Sequence, residues 1–410
     1  MSKDKAFLQF FWDLAEDEAG LRVAGAAGLL RFVHTHPEEL QYAVGRLVKG
    51  LASPRHSARL GFASCLAGLL QAEEGVDVRE VLELLDENSK LTGGLKGSEE
   101  RDFIFAKLFC CIGVIRSQRS LSDDTLSADL LDRLLYLHEL KGWMRETSVE
   151  ALLLYCSYLN SQVQIRAALN KLKPLINVSV KDMGAWQLAL FIGLQEIHAV
   201  AVTGAGAGVG AGAKLWVREW KLFCAGEMPL LQPKTFSMAL LPDVRETLLA
   251  SSSGFPKVHK VWEQLIGIAL PREAESREIA DCRRLRLSAD RESALISLVH
   301  FLQSNLLHAS NEKRSLALTL LFGIIAPRVP AELLPLVLTH EVVEGLKACR
   351  SKKHSLYALA GGLLTSVGEA VCGGVSGRLA LLSVLTQHDG ASFDALTGTK
   401  TVEGLLGGLD

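Results

Sequence analysis

Apolar residues return along this chain every three or four positions. Val44, Leu47, Val48 and Leu51 form one stripe and Phe62, Leu66, Leu69 and Leu70 the next. Ile104, Leu108, Cys111, Ile112 and Ile115, then Leu130, Leu134 and Leu137, continue the pattern. Further on, Leu295, Leu298, Val299, Leu302 and Leu306 precede Leu316, Leu320 and Ile324. This spacing predicts amphipathic helices, and strand-like alternation is nearly absent. Pro37, Pro174, Pro242, Pro256, Pro271, Pro327 and Pro330 fall at breaks between stripes, as expected where one helix stops and an antiparallel neighbour begins. An all-α protein of stacked helical hairpins follows, a HEAT/armadillo-like α-solenoid whose units run ~40–47 residues with degenerate sequence. The helix pairs at 44–70 and 103–140 suit that scale.

Glycine content divides the chain. Residues 1–200 read as an N-terminal helical-repeat segment, 201–213 as a flexible Gly/Ala-rich loop, 214–370 as a continuing helical-repeat segment and 371–410 as a Gly-rich, weakly structured end. In the loop, Gly206-x-Gly208-x-x-Ala211 imitates the phosphate-binding turn of a dinucleotide fold. Trp186 to His198 reads as a helix rather than a buried strand, and no succession of β-α-β units follows. A magnesium-phosphate loop fails as well, because Ala213 precedes Lys214 where glycine is needed and Leu215 replaces the hydroxyl. Pro242 to Pro256 is a second loop or linker.

Composition bounds the function. A chain of 410 residues exceeds the ~250–300 at which one core stops growing, so several domains or a solenoid are expected. A hydrophobic share of 49% excludes general disorder, and a formal charge of −2 gives no global attraction to nucleic acid or membrane. The eight cysteines lack the paired spacing of tetrahedral zinc and read as small buried residues in a reducing compartment. The apolar run before Asp13 is too short for a signal peptide, and other runs are broken before a spanning length of ~20 residues. A soluble intracellular protein without a membrane partner is expected.

With no global charge, local patches matter more. Residues 41–72 carry Arg46, Lys49, Arg55 and Arg59 and no acid, across a helix, a Ser53-Pro54 break and a second helix. Ser53 is placed to cap the second helix with Pro54 at its first position, and each basic pair shares a helix face. Gly61 predicts a close approach of the first helix. Residues 345–368 are likewise acid-free and carry Lys347, Arg350, Lys352 and Lys353. These eight side chains are the candidate contacts to a polyanion or an acidic protein partner.

Other candidate chemistry is thin. His34 and His36 project from different helix faces and read as surface histidines. In Ser98-Glu99-Glu100-Arg101-Asp102, Ser98 suits an N-cap, the glutamates favour the positive end of the helix dipole, and Arg101 is positioned to bridge to a neighbouring repeat. Trp143, with Arg145 and Glu146, reads as a wedge and ion pair between repeats. Nothing calls for a cofactor, a metal or a small-molecule substrate.

Two long motifs carry a family resemblance. Tyr42-Ala43, Arg46-Leu47-Val48-Lys49-Gly50-Leu51, Ser53, Arg55 and Ala58-Arg59-Leu60-Gly61-Phe62 form the first. Lys96-Gly97, Glu99-Glu100-Arg101-Asp102-Phe103, Phe105 and Lys107-Leu108-Phe109 form the second. Phe11-Trp12-Asp13-Leu14, Trp143-Met144-Arg145-Glu146, His259-Lys260-Val261-Trp262 and Asn311-Glu312-Lys313-Arg314 are shorter echoes in the same order, covering most of residues 10–365. The chain resembles the DNA polymerase phi / Myb-binding protein 1A family. The resemblance implies a nucleolar helical-repeat protein of rRNA gene transcription, transcription regulation and ribosome biogenesis, with rDNA or pre-rRNA and transcription or ribosome-assembly proteins as partners. It implies no catalysis, since the D-x-x-S-L-Y-P-S and D-T-D carboxylate segments that hold paired magnesium ions in family-B polymerases are absent; Asp123-Asp124-Thr125 starts a helix instead. Family members are longer, with an acidic stretch and a basic tail, so this chain is expected to be a fragment or a reduced homologue. The rival reading is a HEAT-type adaptor that binds protein or peptide partners in transport or assembly.

Overall fold

The computed structural model describes residues 5–119, 123–203, 211–226, 228–251, 259–270, 287–370, 374–387 and 390–409. Among these residues the chain forms 21 α-helices and no strand, an all-α protein as the periodicity predicts. It divides into two compact units, residues 1–177 with 193–230, and residues 178–192 with 231–410. The division does not fall at the predicted loop. Residues 201–203 and 211–213 are helical, and 204–210 lie outside the described residues.

The first unit holds α1 (Lys5–Asp13), α2 (Ala19–Thr35), α3 (Leu40–Gly50), α4 (His56–Ala72), α5 (Val78–Asn88), α6 (Gly97–Ser117), α7 (Asp124–Leu140), α8 (Arg145–Tyr158) and α9 (Gln162–Ile176). It also takes the second part of α10 (Ala185–Thr203) and all of α11 (Ala211–Ala225). The predicted stripes become its core: Leu47, Leu51, Leu66, Leu69, Leu70, Ile104, Leu108, Leu130 and Leu134 are fully buried. α2 packs on α4, α4 on α6 and α6 on α8, while α3 packs on α5, α7 on α9 and α9 on α11. Alternate helices therefore lie side by side in two rows. Charges tie them together, with Asp86 of α5 taking Lys107 of α6 at 2.6 Å and Arg133 of α7 at 2.7 Å. In α11 the buried carboxylate of Glu219 accepts from Arg166 and Gln162 of α9, which lowers its pKa.

Some helix starts carry the expected side-chain cap, and the two caps predicted from Ser53 and Ser98 do not form. Asp77 caps α5, and Asp123 caps α7 by accepting from the amides of Thr125 and Leu126. Ser53 accepts from the Arg55 amide at 3.3 Å instead of capping, and α4 begins at His56. Ser98 does not cap either; α6 opens one residue earlier, with Glu99 and Glu100 in its first turn as expected. Pro174 marks no break, since it sits inside the last turn of α9.

The second unit contains the start of α10, α12 (Arg245–Leu249), α13 (Val261–Ala269), α14 (Ala289–Leu302), α15 (Asn311–Leu318), α16 (Leu334–Val337), α17 (His340–Ala348), α18 (Tyr357–Ala370), α19 (Gly374–Thr386), α20 (Phe393–Thr397) and α21 (Thr401–Gly407). Trp262 is fully buried and donates from Nε1 to the Ser251 hydroxyl at 2.8 Å. π-helical turns at Gln303–Leu307 and Thr319–Ile325 each shift the helical register. As a result Ile325, not the predicted Ile324, completes the buried face after Leu316 and Leu320. Three helices run through the stretch whose glycine content predicts weak structure, because Leu381, Leu385, Phe393, Val402 and Leu405 supply enough buried apolar surface to hold them. Of the Pro242–Pro256 linker, Arg245–Leu249 is helical and 252–258 lie outside the described residues.

Among the described residues, α10 is long and apolar enough to cross a membrane by length and composition, with a mean hydropathy of 1.3 over Ala185–Val202. Glu196 alone does not break that window. Leu188, Leu190, Phe191, Ile192 and Leu194 of this helix are buried in the protein's own interior.

Candidate nucleic-acid and partner interface

The first basic segment splits between surface and core. Arg46 and Lys49 are exposed on α3, and Arg55 is exposed just before α4. The Arg46 guanidinium stands over the Phe11 ring at 5.2 Å, its stem covering apolar surface while its charge faces water. Arg59 does not join them. Position 59 lies on the α4 face that packs against α6, and the residue is only 6% exposed. Its Nη1 donates to the Ser53 carbonyl at 2.6 Å and lies 3.6 Å from Asp102 Oδ1, with the guanidinium over Phe105 at 4.5 Å. Burial lowers its pKa, and the Asp102 carboxylate opposes that shift. Arg59 is thus withdrawn from any phosphate, a correction to the predicted ridge.

The second segment splits in the same way, and for a similar reason. Lys352 and Lys353 are exposed in the turn after α17. Lys347 is largely covered and pairs with Glu344 at 2.7 Å. Arg350, 9% exposed, donates from Nε to the Thr397 carbonyl and from Nη1 to the Tyr357 carbonyl, both at 2.6 Å, and from Nη2 to Gly398 at 3.3 Å. It also covers the Tyr357 ring at 4.0 Å. The free carbonyls at a helix C-terminus need donors, and a planar guanidinium serves several at once. Arg350 therefore also leaves the predicted set. The exposed remainder is Arg46, Lys49 and Arg55 in the first unit, and Lys352 and Lys353 in the second.

What the charge count missed is an aromatic and ionic joint between the two long motifs. Arg59 comes from the first; Asp102, Phe105 and Phe109 come from the second. His56 meets Phe109 edge-on at 5.8 Å, and Phe105 meets Trp143 at 5.4 Å. Trp143 is 40% exposed and so is only half the wedge predicted. Among the described residues Arg101 bridges to no neighbouring helix; its ion pair, 3.8 Å, is to adjacent Asp102. The legible signal was the density of both motifs, which required a common reason.

The remaining candidates are structural. Asp123 and Asp124 do not converge as polymerase carboxylates would: Asp123 is held well below the usual carboxylate range by Thr125, the Leu126 amide and Arg79, and Asp124 accepts from Gln164. His34 reaches toward Glu73, while His36 stacks on Phe32 at 4.2 Å. Burial pushes the thiols of Cys65, Cys111 and Cys156 up to about 12. Cys110 and Cys349 are raised for the same reason, and Cys282 and Cys372 lie outside the described residues.

Compared with known families, residues 42–410 match the one described as DNA polymerase phi. The chain belongs to the DNA polymerase phi family. Both long motifs fall inside the matched span, so the joint between Arg59 and α6 lies within the part of the DNA polymerase phi sequence that defines this match. Among curated relatives, rDNA transcriptional regulator pol5 of Schizosaccharomyces pombe is 35% identical over 145 residues, covering 35% of this chain and 15% of the relative. Myb-binding protein 1A of Mus musculus is 31% identical over 125 residues, 30% of this chain and 9% of the relative. The human Myb-binding protein 1A is 30% identical over 154 residues, 37% and 12% respectively. The matched stretch thus spans at most 15% of the length of these three DNA polymerase phi relatives, which are named as a regulator and binding proteins rather than as polymerases.

Proposed function

We propose that this chain is a non-catalytic helical-repeat scaffold of rRNA gene transcription and ribosome biogenesis, acting in the nucleus and its nucleolus. Membership of the DNA polymerase phi family carries the reading, with relatives named for rDNA transcriptional regulation and for binding Myb. The two rows of alternately packed helices in the first unit support a HEAT/armadillo-like stack. Exposed Arg46, Lys49, Arg55, Lys352 and Lys353 are the groups that contact rDNA or pre-rRNA phosphates, holding the polyanion without reading its sequence. The other exposed surface is left to proteins of transcription or ribosome assembly.

The test is salt-dependent binding of duplex DNA and structured RNA to the full chain. The slope of log K against log salt is about −0.9 per phosphate neutralised on duplex DNA, so Arg46→Gln with Lys49→Gln flattens it by up to ~2. Arg59 is unsuitable for this test because its removal disturbs the core. No wild-type binding at low salt would remove the nucleic-acid limb and leave an adaptor for protein or peptide partners. A fluorescent fusion excluded from the nucleolus would overturn the assigned compartment.

A further inference from the structure

The joint between the two motifs has an outer side. His56 is exposed, Phe105 half-buried and Trp143 40% exposed, and the rings run on from one another: His56 to Phe109 at 5.8 Å, Phe109 to Phe105 at 6.5 Å, Phe105 to Trp143 at 5.4 Å. Phe109, which joins His56 to Phe105 in the row, is buried. Cations surround the row. The Arg59 guanidinium stands against the Phe105 ring, Arg101 stands four residues before Phe105 on the same face of α6 with its side chain 54% exposed, and Arg55 is exposed beside His56. Two carboxylates of α6 beside the row are engaged: Asp102 faces Arg59 and Arg101, and Glu100 takes Lys141 at 2.9 Å. Glu99, exposed in the first turn of α6, lies farther back along the helix.

We propose that His56, Phe105 and Trp143 form a stacking platform for single-stranded nucleic acid, with Arg55 and Arg101 holding phosphates at its rim. Aromatic faces with cations beside them are what an unpaired, polyanionic strand requires, because every base offers a π-face and every linkage a charge. An acidic peptide would use the cations and leave the rings idle. A proline-rich peptide would use the rings and leave the cations idle. A duplex hides its bases and gains only the rim. The inference shares with the proposed function the premise that the ligand is a nucleic acid, and Arg55, but it uses neither Arg46 nor Lys49, so the tests of the two fail separately.

The experiment titrates the full chain with a labelled oligouridine, an abasic phosphodiester of equal length and a duplex, for the wild type, Trp143→Ala, Trp143→Phe and Arg101→Gln. Trp143→Ala should lose about 5- to 150-fold in affinity for the oligouridine, the range of stacking on one aromatic side chain, with unchanged affinity for the abasic strand and the duplex. Trp143→Phe should retain most of the binding, and Arg101→Gln should weaken the oligouridine and the abasic strand alike. Circular dichroism melts establish that each variant remains folded. Equal wild-type affinity for the oligouridine and the abasic strand would overturn the platform, as would an unaffected Trp143→Ala or displacement of the oligouridine by a proline-rich peptide at lower concentration. Intact duplex binding alongside any of these results sinks the platform alone; no binding of any nucleic acid sinks both.

Discussion

Replacing Gly61 by alanine should destabilise the protein, although the same change in an open helix is favourable. A Cβ at Gly61 would lie 1.9 Å from the Leu14 carbonyl oxygen and 2.9 Å from its carbonyl carbon. Both atoms are backbone, so no side chain can swing aside, and Leu14 itself is fully buried. Helix propensity favours alanine by about 0.8–1.0 kcal/mol, whereas overpacking costs about 1–3 kcal/mol. The required shift exceeds 1 Å against backbone, which places the cost at the upper end and leaves a net loss of roughly 1–2 kcal/mol. For a unit of this size that lowers the melting temperature by roughly 2–8 °C. Gly45 on neighbouring α3 is the control: a Cβ there meets nothing within 4 Å, so Gly45→Ala should gain about 0.5–1 kcal/mol. Thermal melts followed by circular dichroism at 222 nm give both numbers. Gly61→Ala melting at or above the wild type, with Gly45→Ala stabilised as expected, would show that α4 does not pack against the segment after α1.

Arg350→Lys should cost about 3 kcal/mol, because a single ammonium cannot reach the carbonyls of Tyr357, Thr397 and Gly398 together; a urea midpoint equal to the wild type would refute the clamp. Burial raises the Asp86 carboxyl, but hydrogen bonds from Lys107 and Arg133 outweigh it, and the folded-state pKa is lowered. Its contribution is therefore present above the unfolded value of about 3.9 and disappears as pH falls through the folded one. Asp86→Asn should be less stable than wild type by up to about 1 kcal/mol per pair at pH 7, with the gap closing on acidification; a gap that widens instead would contradict this sign.

The helical stripes were readable because each one is local. Val44, Leu47, Val48 and Leu51 all fall inside, since four residues of period decide which face is buried. The basic ridge was not readable to the same degree. An acid-free window says nothing about Asp102, forty-three positions beyond Arg59, or about the Thr397 carbonyl forty-seven beyond Arg350. Gly61 shows the same boundary: the close approach was visible in the residue, but its partner is Leu14 and not α3, where Gly50 instead rests against the Phe62 ring. Ile324 was misplaced because a π turn adds a residue to the repeat that no propensity scale registers.

The arginine held between Ser53, Asp102 and Phe105 also limits where the chain can be divided. A fragment ending between α5 and α6 would keep Arg59 but lose both its counter-charge and the ring that covers it, leaving a cation on a face that has no partner helix. Such a piece has reason to aggregate or to bind polyanions through a group that the intact protein keeps inside. Deletion mapping of this region should therefore cut no closer than the end of α6, or its apparent binding sites will be the exposed interiors of broken pairs.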